Sequence, residues 1–441
     1  MNKANSPSNS PKQPLLFLSH THEFQGGAER SLLAMMKDAT SKSYAVHLIV
    51  PRAGDFAKQA KKHNITIHTI SSSWWTLNGK NEHQYERNRL AVIKMSDLIK
   101  DINPLACVTN TITNPWLAYA AALTQTQHLW IIREFGDTDH GLTFCMQKNQ
   151  LVKAIDQLSS QIFTSSEALK RHYQELIDEH SPQIKVVYPV VKVKNQDKPQ
   201  QSRQPIDTIN IVCVGNISSG KGQMDAVKAV EVLLKNRKNI KLTLIGGPAN
   251  REYYDELKEY VYNNNLTKNI IFAGYSNSPE KYVSKADLSL VCSRTEAFGR
   301  VTIESVLQKT AVIGTRSAGT ADILKSYSDD ILYTPGDSTE LAHKISNLID
   351  SPDKTKRIIE NLYSETVSKY NEKNANIEFF ECLQSFNTEI TNKNTAFAPM
   401  EQLLRSNITL KDRLLSSNNR FLVFLCRIRL LLGKIKRKIF N

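Results

Sequence analysis

Residues 208–223 read Thr208-Ile209-Asn210-Ile211-Val212-Cys213-Val214-Gly215-Asn216-Ile217-Ser218-Ser219-Gly220-Lys221-Gly222-Gln223. An apolar run broken only by Asn210 passes directly into glycine, small residues and a lysine, and a helix-compatible stretch begins at Gln223. Continuous rather than alternating apolar character marks a strand buried on both faces, hence a parallel sheet covered by helices. Small residues after such a strand let the backbone approach an anion. The N–H groups of the next helix's first turn face that anion, and Lys221 adds a point charge. The Gly-x4-Gly-Lys-Ser/Thr spacing of a Walker A loop is not met. Taken alone, the same residues also suit a glycine-rich turn with a solvated lysine.

The alternation recurs on both sides of this stretch. C-terminal to it, strands are expected at 241–245, 270–273, 288–291, 311–314 and 331–333, with helix over 353–386. N-terminal to it they are expected at 15–18, 46–50, 65–70, 106–108, 129–132, 161–163 and 185–187, with a long helix over 84–102. Between the two series, residues 192–205 (KVKNQDKPQQSRQP) carry almost no apolar side chain and two prolines, the composition of a linker. The fold class expected is α/β, with two Rossmann-like doubly wound domains at 14–191 and 206–386 facing a cleft. A disordered N-terminus at 1–13 and a basic amphipathic helical tail at 387–441 complete the expected organisation.

Composition narrows the function. With 441 residues, 40% of them hydrophobic, the chain can build more than one core. Lys plus Arg exceed Asp plus Glu by 14, but residues 401–441 alone hold ten basic and two acidic side chains. The rest of the chain has an ordinary balance, which excludes a uniformly basic nucleic-acid binder. Six cysteines with no C-x-x-C pair give neither a disulfide framework nor a zinc site. The apolar run at 15–18 is too short for a signal-peptide core, and no run reaches the roughly 18 residues of a membrane span. A reduced, cytoplasmic protein is expected.

A second motif follows the expected strand at 288–291: Ser293-Arg294-Thr295-Glu296-Ala297-Phe298-Gly299-Arg300-Val301-Thr302-Ile303-Glu304. Glu296 falls in a loop and Glu304 about one turn inside a helix, while 298–302 present free N–H groups at the positive helix end. Amides there suit phosphates, and the flanking carboxylates suit sugar hydroxyls. The alternative for each acid alone is a surface loop residue and a first-turn acid complementing the helix dipole.

In this order the two motifs resemble the donor-binding half of the retaining GT-B glycosyltransferases of family 4. That family shows a Gly-x5-Lys-Gly loop, a Glu-x7-Glu segment containing Phe-Gly, and then a short glycine-containing helix start. Gly215 to Lys221, Glu296 to Glu304 and Gly314 to Asp322 match it. Gly26-Gly27 after the first strand is similar to the family's N-terminal Gly-Gly loop, and the resemblance extends over about residues 15–386.

The resemblance implies that Lys221 neutralises the donor diphosphate and that Gly27, Asn216, Phe298, Gly299, Arg300 and Val301 line it. By the same token Glu304 binds the nucleotide ribose and Glu296 holds hydroxyls of the transferred sugar, so Glu296 and Lys221 are the expected catalytic pair. Two departures stand out. The family's Arg one residue after the loop's first glycine is Asn216 here, with Arg300 or Arg294 as replacement cations. The family's N-domain histidine is replaced by Arg133-Glu134, which leaves Glu134 and His140 as acceptor-side candidates. Asp137-x-Asp139 matches a metal-binding pair of another glycosyltransferase class. With Lys221 assigned to the phosphates it is read as incidental, and no metal or cofactor is expected.

Phe421, Phe424, Leu425, Ile428, Leu432, Ile435 and Ile439 share one helical face, with basic residues mainly opposite. That pattern fits the interface of an anionic membrane, so the protein is expected on the inner membrane face as a peripheral protein. The alternative is docking on its own catalytic domain or a partner chain. The function expected is retaining transfer from a nucleotide sugar to a glycan or lipid-linked acceptor in cell-surface polysaccharide biosynthesis. The main alternative is a catalytically silent GT-B subunit of a transferase complex, and an epimerase or phosphorylase of similar fold is a third possibility.

Overall fold

The structure, a computed structural model, describes residues 12–24, 26–77, 84–177, 179, 181–191, 208–236, 239–371 and 374–386. The expected linker at 192–205 and the basic tail lie outside these residues, as does nearly all of the expected disordered N-terminus. No helix among the described residues is long and apolar enough to cross a membrane.

Two all-parallel sheets form the frame. The first holds β1 (Pro14–Leu18), β2 (Ala45–Val50), β3 (Thr66–Thr69), β4 (Ala106–Asn110), β5 (His128–Ile132), β6 (Gln161–Thr164) and β7 (Lys185–Val186), in spatial order 3-2-1-4-5-6-7. The second holds β8 (Ile209–Val214), β9 (Ile240–Ile245), β10 (Ile270–Gly274), β11 (Leu288–Val291), β12 (Ala311–Thr315) and β13 (Leu332–Tyr333), in order 10-9-8-11-12-13. The expected strands are present, with ends shifted by one or two residues, and the helix Gln84–Ile102 has the expected bounds.

The two-residue period of a strand explains why the apolar runs are continuous. Leu15 and Phe17 of β1 join one core cluster, with Leu32 and Val108, whereas Leu16 and Leu18 join another on the opposite face, with Trp130 and Leu151. Each fully buried Leu or Phe contributes about 1.5–3 kcal/mol relative to exposure. Helices cover both faces because a parallel strand needs a crossover before the next one.

In each sheet the strand order reverses at one place, between β1 and β4 and between β8 and β11. Loops leave in opposite directions there and open a crevice at the carboxyl ends of the strands, where ligands of such sheets bind. The two domains meet beside these crevices. Ser166 Oγ donates to the Ala297 carbonyl at 2.5 Å, and Arg171 pairs with Asp322 at 2.7 Å. Ser166 also caps its own helix, Glu167–Gln174, by accepting from Leu169 N, so one hydroxyl both starts a helix and ties the domains.

The domain boundary needs one correction. Residues up to 386 were expected to close the C-terminal domain, and the helix Pro352–Lys369 does pack there. The helix Ile377–Ser385 instead returns to the N-terminal domain. Its Phe379 is fully buried, 6.3 Å from the Phe17 ring and 6.0 Å from that of Phe163. Glu378 pairs with Lys185, and Asn376 reaches Asp38. The cause is an apolar face that the N-terminal sheet leaves open and that two phenylalanines fill.

Candidate functional site

The β8 loop ends in a tight turn, Ser219–Lys221, closed by Gly222. Gly222 is left-handed at φ +63°, and a side chain there would strike the Cys292 carbonyl of the neighbouring strand end. Only glycine lets these two loops lie together. Arg294 N then donates to Gly220 O at 2.8 Å. This juxtaposition places Lys221 Nζ 2.7 Å from Glu296 Oε2, joining residues 75 positions apart.

Glu296 is well shielded, with 19% of its side chain exposed against 37% for Lys221. Burial pushes the Glu296 carboxyl up, but the Lys221 ammonium outweighs it and holds the group below the usual carboxylate range. Burial pushes the Lys221 ammonium down, and Glu296 outweighs that in turn, holding it above its usual value. Both stay charged at neutral pH, an ion pair set at the switch point of the second sheet.

The segment after Glu296 is held by the next helix. Gly319 N donates to the Glu296 carbonyl at 2.7 Å, and a side chain at Gly319 would lie 2.7 Å from the Phe298 carbonyl carbon. Phe298 turns its ring into the core, against the edge of Tyr370 at 5.8 Å. Gly299 takes φ +87° and starts the helix Arg300–Leu307, and Val301 packs partly against the same core. Arg300 Nε pairs with Glu304 Oε1 at 2.8 Å. Burial raises the Glu304 carboxyl above its usual range, and Arg300 only partly opposes this. Asn216 is exposed at the start of the phosphate loop. Gly27 opens the helix Gly27–Ser41 across the cleft, 3.8 Å from Arg300 Cδ at the point where a Cβ would stand.

Arg294 takes no place at the cleft pair as a spare cation. Its guanidinium is forked onto Asp225, Nη1 to Oδ2 at 2.7 Å and Nη2 to Oδ1 at 2.8 Å.

On the N-terminal side, Glu134 follows β5 and accepts from Ile112 N at 2.6 Å. Burial raises its pKa, opposed by that hydrogen bond and by His20 and His140. His140 ends the one-turn helix Asp137–His140 and is 62% exposed, with its charge felt by both Glu134 and Glu296. Arg133 is buried, its Nε donating to Asn110 at 2.6 Å, and burial pushes it down to about 10. Asp137 is paired with Lys148 at 2.7 Å. Asp139 accepts from Phe135 N and Gly136 N at 2.9 and 2.8 Å. Among the described residues no three His, Cys, Asp or Glu side chains gather as a metal site.

Sequence reasoning missed one constellation beside Gly27. Glu29 spans His20 Nε2 at 3.0 Å and Gly26 N at 2.6 Å. Burial would raise its carboxyl, but His20 and the Gly26 N–H together bring it below its usual value. The Trp74 ring lies 5.8 Å from that of His20, and its Nε1 donates to the His20 carbonyl at 2.8 Å. A glutamate three residues after a helix-starting glycine is a capping signal visible in the sequence. His20 carries no such signal.

Residues 194–365 match the model of the family described as Glycosyl transferases group 1. Among relatives, an uncharacterized glycosyltransferase of Methanocaldococcus jannaschii is 23% identical over 238 residues, covering 50% of this chain and 60% of that one. The lipopolysaccharide core biosynthesis glycosyltransferase LpsD of Rhizobium meliloti is 26% identical over 148 residues, covering 34% and 41%. The chain thus spans about 60% or less of both relatives. Among solved structures, Anabaena HepE in complex with UDP and glucose is 18% identical with a TM-score of 0.67, covering 84% of this chain and 99% of that one. Residues 194–365 thus match a glycosyl transferases group 1 domain, and the chain has the two-domain fold of GT-B glycosyltransferases.

Proposed function

We propose that this protein is a retaining glycosyltransferase of family 4 that moves a sugar from UDP-sugar to a hydroxyl of a glycan or lipid-linked acceptor, in cell-surface polysaccharide biosynthesis. The observation that carries this is the Lys221–Glu296 pair at the switch point, 2.7 Å apart and bounded by a helix N-terminus. Structures of similar fold were solved with UDP, and a relative of similar sequence belongs to lipopolysaccharide core synthesis.

In this role Lys221 and the amides of 298–301 meet the diphosphate, Glu304 the ribose, and Glu296 the hydroxyls of the transferred sugar. Negative charge grows on the leaving diphosphate and positive charge on the anomeric carbon, so a fixed cation and aligned amides lower the barrier. The departing phosphate oxygen takes the proton of the attacking hydroxyl on the same face, with Glu134 and His140 on the acceptor side. No metal is assigned: Asp137 and Asp139 already have partners, and Lys221 supplies the positive charge. Residues 401–441, ten of them basic, hold the enzyme peripherally at the cytoplasmic face of an anionic membrane.

The replacement of the family's N-domain histidine by Arg133-Glu134 favours the second reading, a catalytically silent partner subunit. The test is calorimetry with UDP-, GDP-, dTDP- and CMP-sugars, followed by NMR of the product's anomeric configuration. Selective UDP-sugar binding with a retained anomer supports the proposal. Binding without hydrolysis or transfer to any acceptor turns it to the silent subunit, and no nucleotide binding refutes both. Vesicle sedimentation of the full chain, with and without anionic lipid, tests the membrane role, and equal binding to neutral vesicles would refute it.

A further inference from the structure

Asp225 lies at the third position of the helix Gln223–Leu234 and is almost fully buried. Four donors converge on its carboxylate. Two come from Arg294, a third is Tyr333 Oη at 3.2 Å, and the fourth is Gly336 N at 2.8 Å. Three of the four fall on Oδ2 and one on Oδ1, so the carboxylate is held from several sides at once. One side chain thus joins the carboxyl ends of β8, β11 and β13.

Arg294 holds the phosphate loop at two points. Its main-chain N–H binds Gly220 O, and its guanidinium binds Asp225. Lys221 lies between those two grips, and Glu296 lies two residues beyond Arg294. A forked guanidinium–carboxylate pair fixes plane and distance together, unlike a single ion pair. The side chain of Asp225 is 5% exposed and that of Arg294 40%, so the fork is sealed on the acid's side and reaches the surface on the other.

We propose that Asp225 and Arg294 are positioning residues for the donor site: their fork sets the Lys221–Glu296 spacing and so the enzyme's preference for a diphosphate over a monophosphate. This rests on the donor reading above. It gives Arg294 a different task from a second phosphate cation, which leaves the missing charge at Asn216 to Arg300. Loosening the fork lets Lys221 drift from the position where it meets the diphosphate, without removing any group that touches the nucleotide.

The experiment is calorimetry of UDP and of UMP on the full chain, in wild type, Asp225→Asn, Arg294→Gln, Lys221→Ala and the Asp225→Asn/Lys221→Ala double variant. Melting temperature is recorded for each. Loss of the fork is expected to weaken UDP about tenfold while changing UMP less than about twofold. In the Lys221→Ala background, Asp225→Asn is expected to add little, because its effect passes through Lys221. A parallel loss of UDP and UMP affinity, or an equal loss with and without Lys221, overturns the proposal and leaves a merely structural pair. If Asp225→Asn does not fold, Arg294→Gln decides by the same UDP-to-UMP ratio. A wild type that binds neither nucleotide refutes the donor reading itself, whereas binding with an unchanged ratio in the variants refutes only this proposal.

Discussion

Replacing Lys221 by alanine removes a cation 2.7 Å from a shielded carboxylate. A charge-assisted hydrogen bond of this kind contributes about 1.5–3 kcal/mol. Lys221 is 37% exposed, so water and salt screen it, and the stability loss is expected below that range, about 1 kcal/mol. The effect on a bound diphosphate is expected to be larger, because the same ammonium then faces the phosphates. Loss of about 1.5–3 kcal/mol weakens UDP by roughly ten- to 150-fold.

Glu296→Gln should act in the opposite direction on free UDP. In the empty site the carboxylate competes for Lys221, so its neutral isostere releases the cation and leaves UDP affinity equal or higher. Turnover should nevertheless fall, since the sugar hydroxyls lose a charged acceptor. The pH dependence separates the two roles further. Lys221 holds the Glu296 carboxyl below the usual range, so the pair stays charged at neutral pH and weakens as pH falls through that lowered value. Without Lys221, burial is opposed only by Ser293 and His140, so the carboxyl rises and the acid limb of activity moves to higher pH. Titration calorimetry at several pH values reads all of this. Should Glu296→Gln weaken UDP as much as Lys221→Ala does, the pair is a structural strut and the reasoning fails.

Glu304→Gln should weaken every nucleotide sugar alike; since burial raises its carboxyl, wild-type donor affinity should fall as pH drops through that raised value, and an acid limb unchanged in the variant would count against the ribose contact. Glu134 also titrates above its usual value, so folding stability falls as pH rises from the usual carboxylate range through the raised one. Glu134→Gln keeps an oxygen for Ile112 N and should hold or raise the melting temperature above that window while lowering transfer, and a large destabilisation would show that the charge is structural. Asp139→Ala strands the N–H groups of Phe135 and Gly136 and should cost about 1–2 kcal/mol, measured by denaturant unfolding. EDTA should leave activity intact, and a loss restored by Mn²⁺ would reverse the metal-free proposal.

The central strands were legible because they are apolar runs buried on both faces, whereas the edge strands β3, β7 and β10 are more exposed, and the phosphate loop was legible because glycine and lysine follow such a run directly. The pairing of Lys221 with Glu296 was legible only through resemblance, since the two residues are 75 positions apart. Other features lay beyond local pattern. Asp225 reads as an ordinary first-turn acid, and its partners come from 69, 108 and 111 residues away. Helical periodicity located the segment 377–385 but not the sheet it covers, because its phenylalanines would fill either domain equally well on composition. Histidines such as His20 and His140 carry no period at all, so only the folded chain shows His20 beside Glu29 and the His140 ring beside the Asp139 carboxylate.

The return of the helix Ile377–Ser385 to the first sheet has a consequence for synthesis on the ribosome. Chains generally fold domain by domain from the N-terminus as they emerge. Here Phe379 stands against Phe17 and Phe163, so the earliest strand waits for a helix made more than 350 residues later. The second domain, with its sheet and helices contiguous within residues 208–371, can close first. Until then the nascent first domain shows an apolar face to the cytosol, a natural place for a chaperone to bind, and ribosome-bound chains halted before Phe379 should be more protease-sensitive in residues 12–191 than chains halted after it.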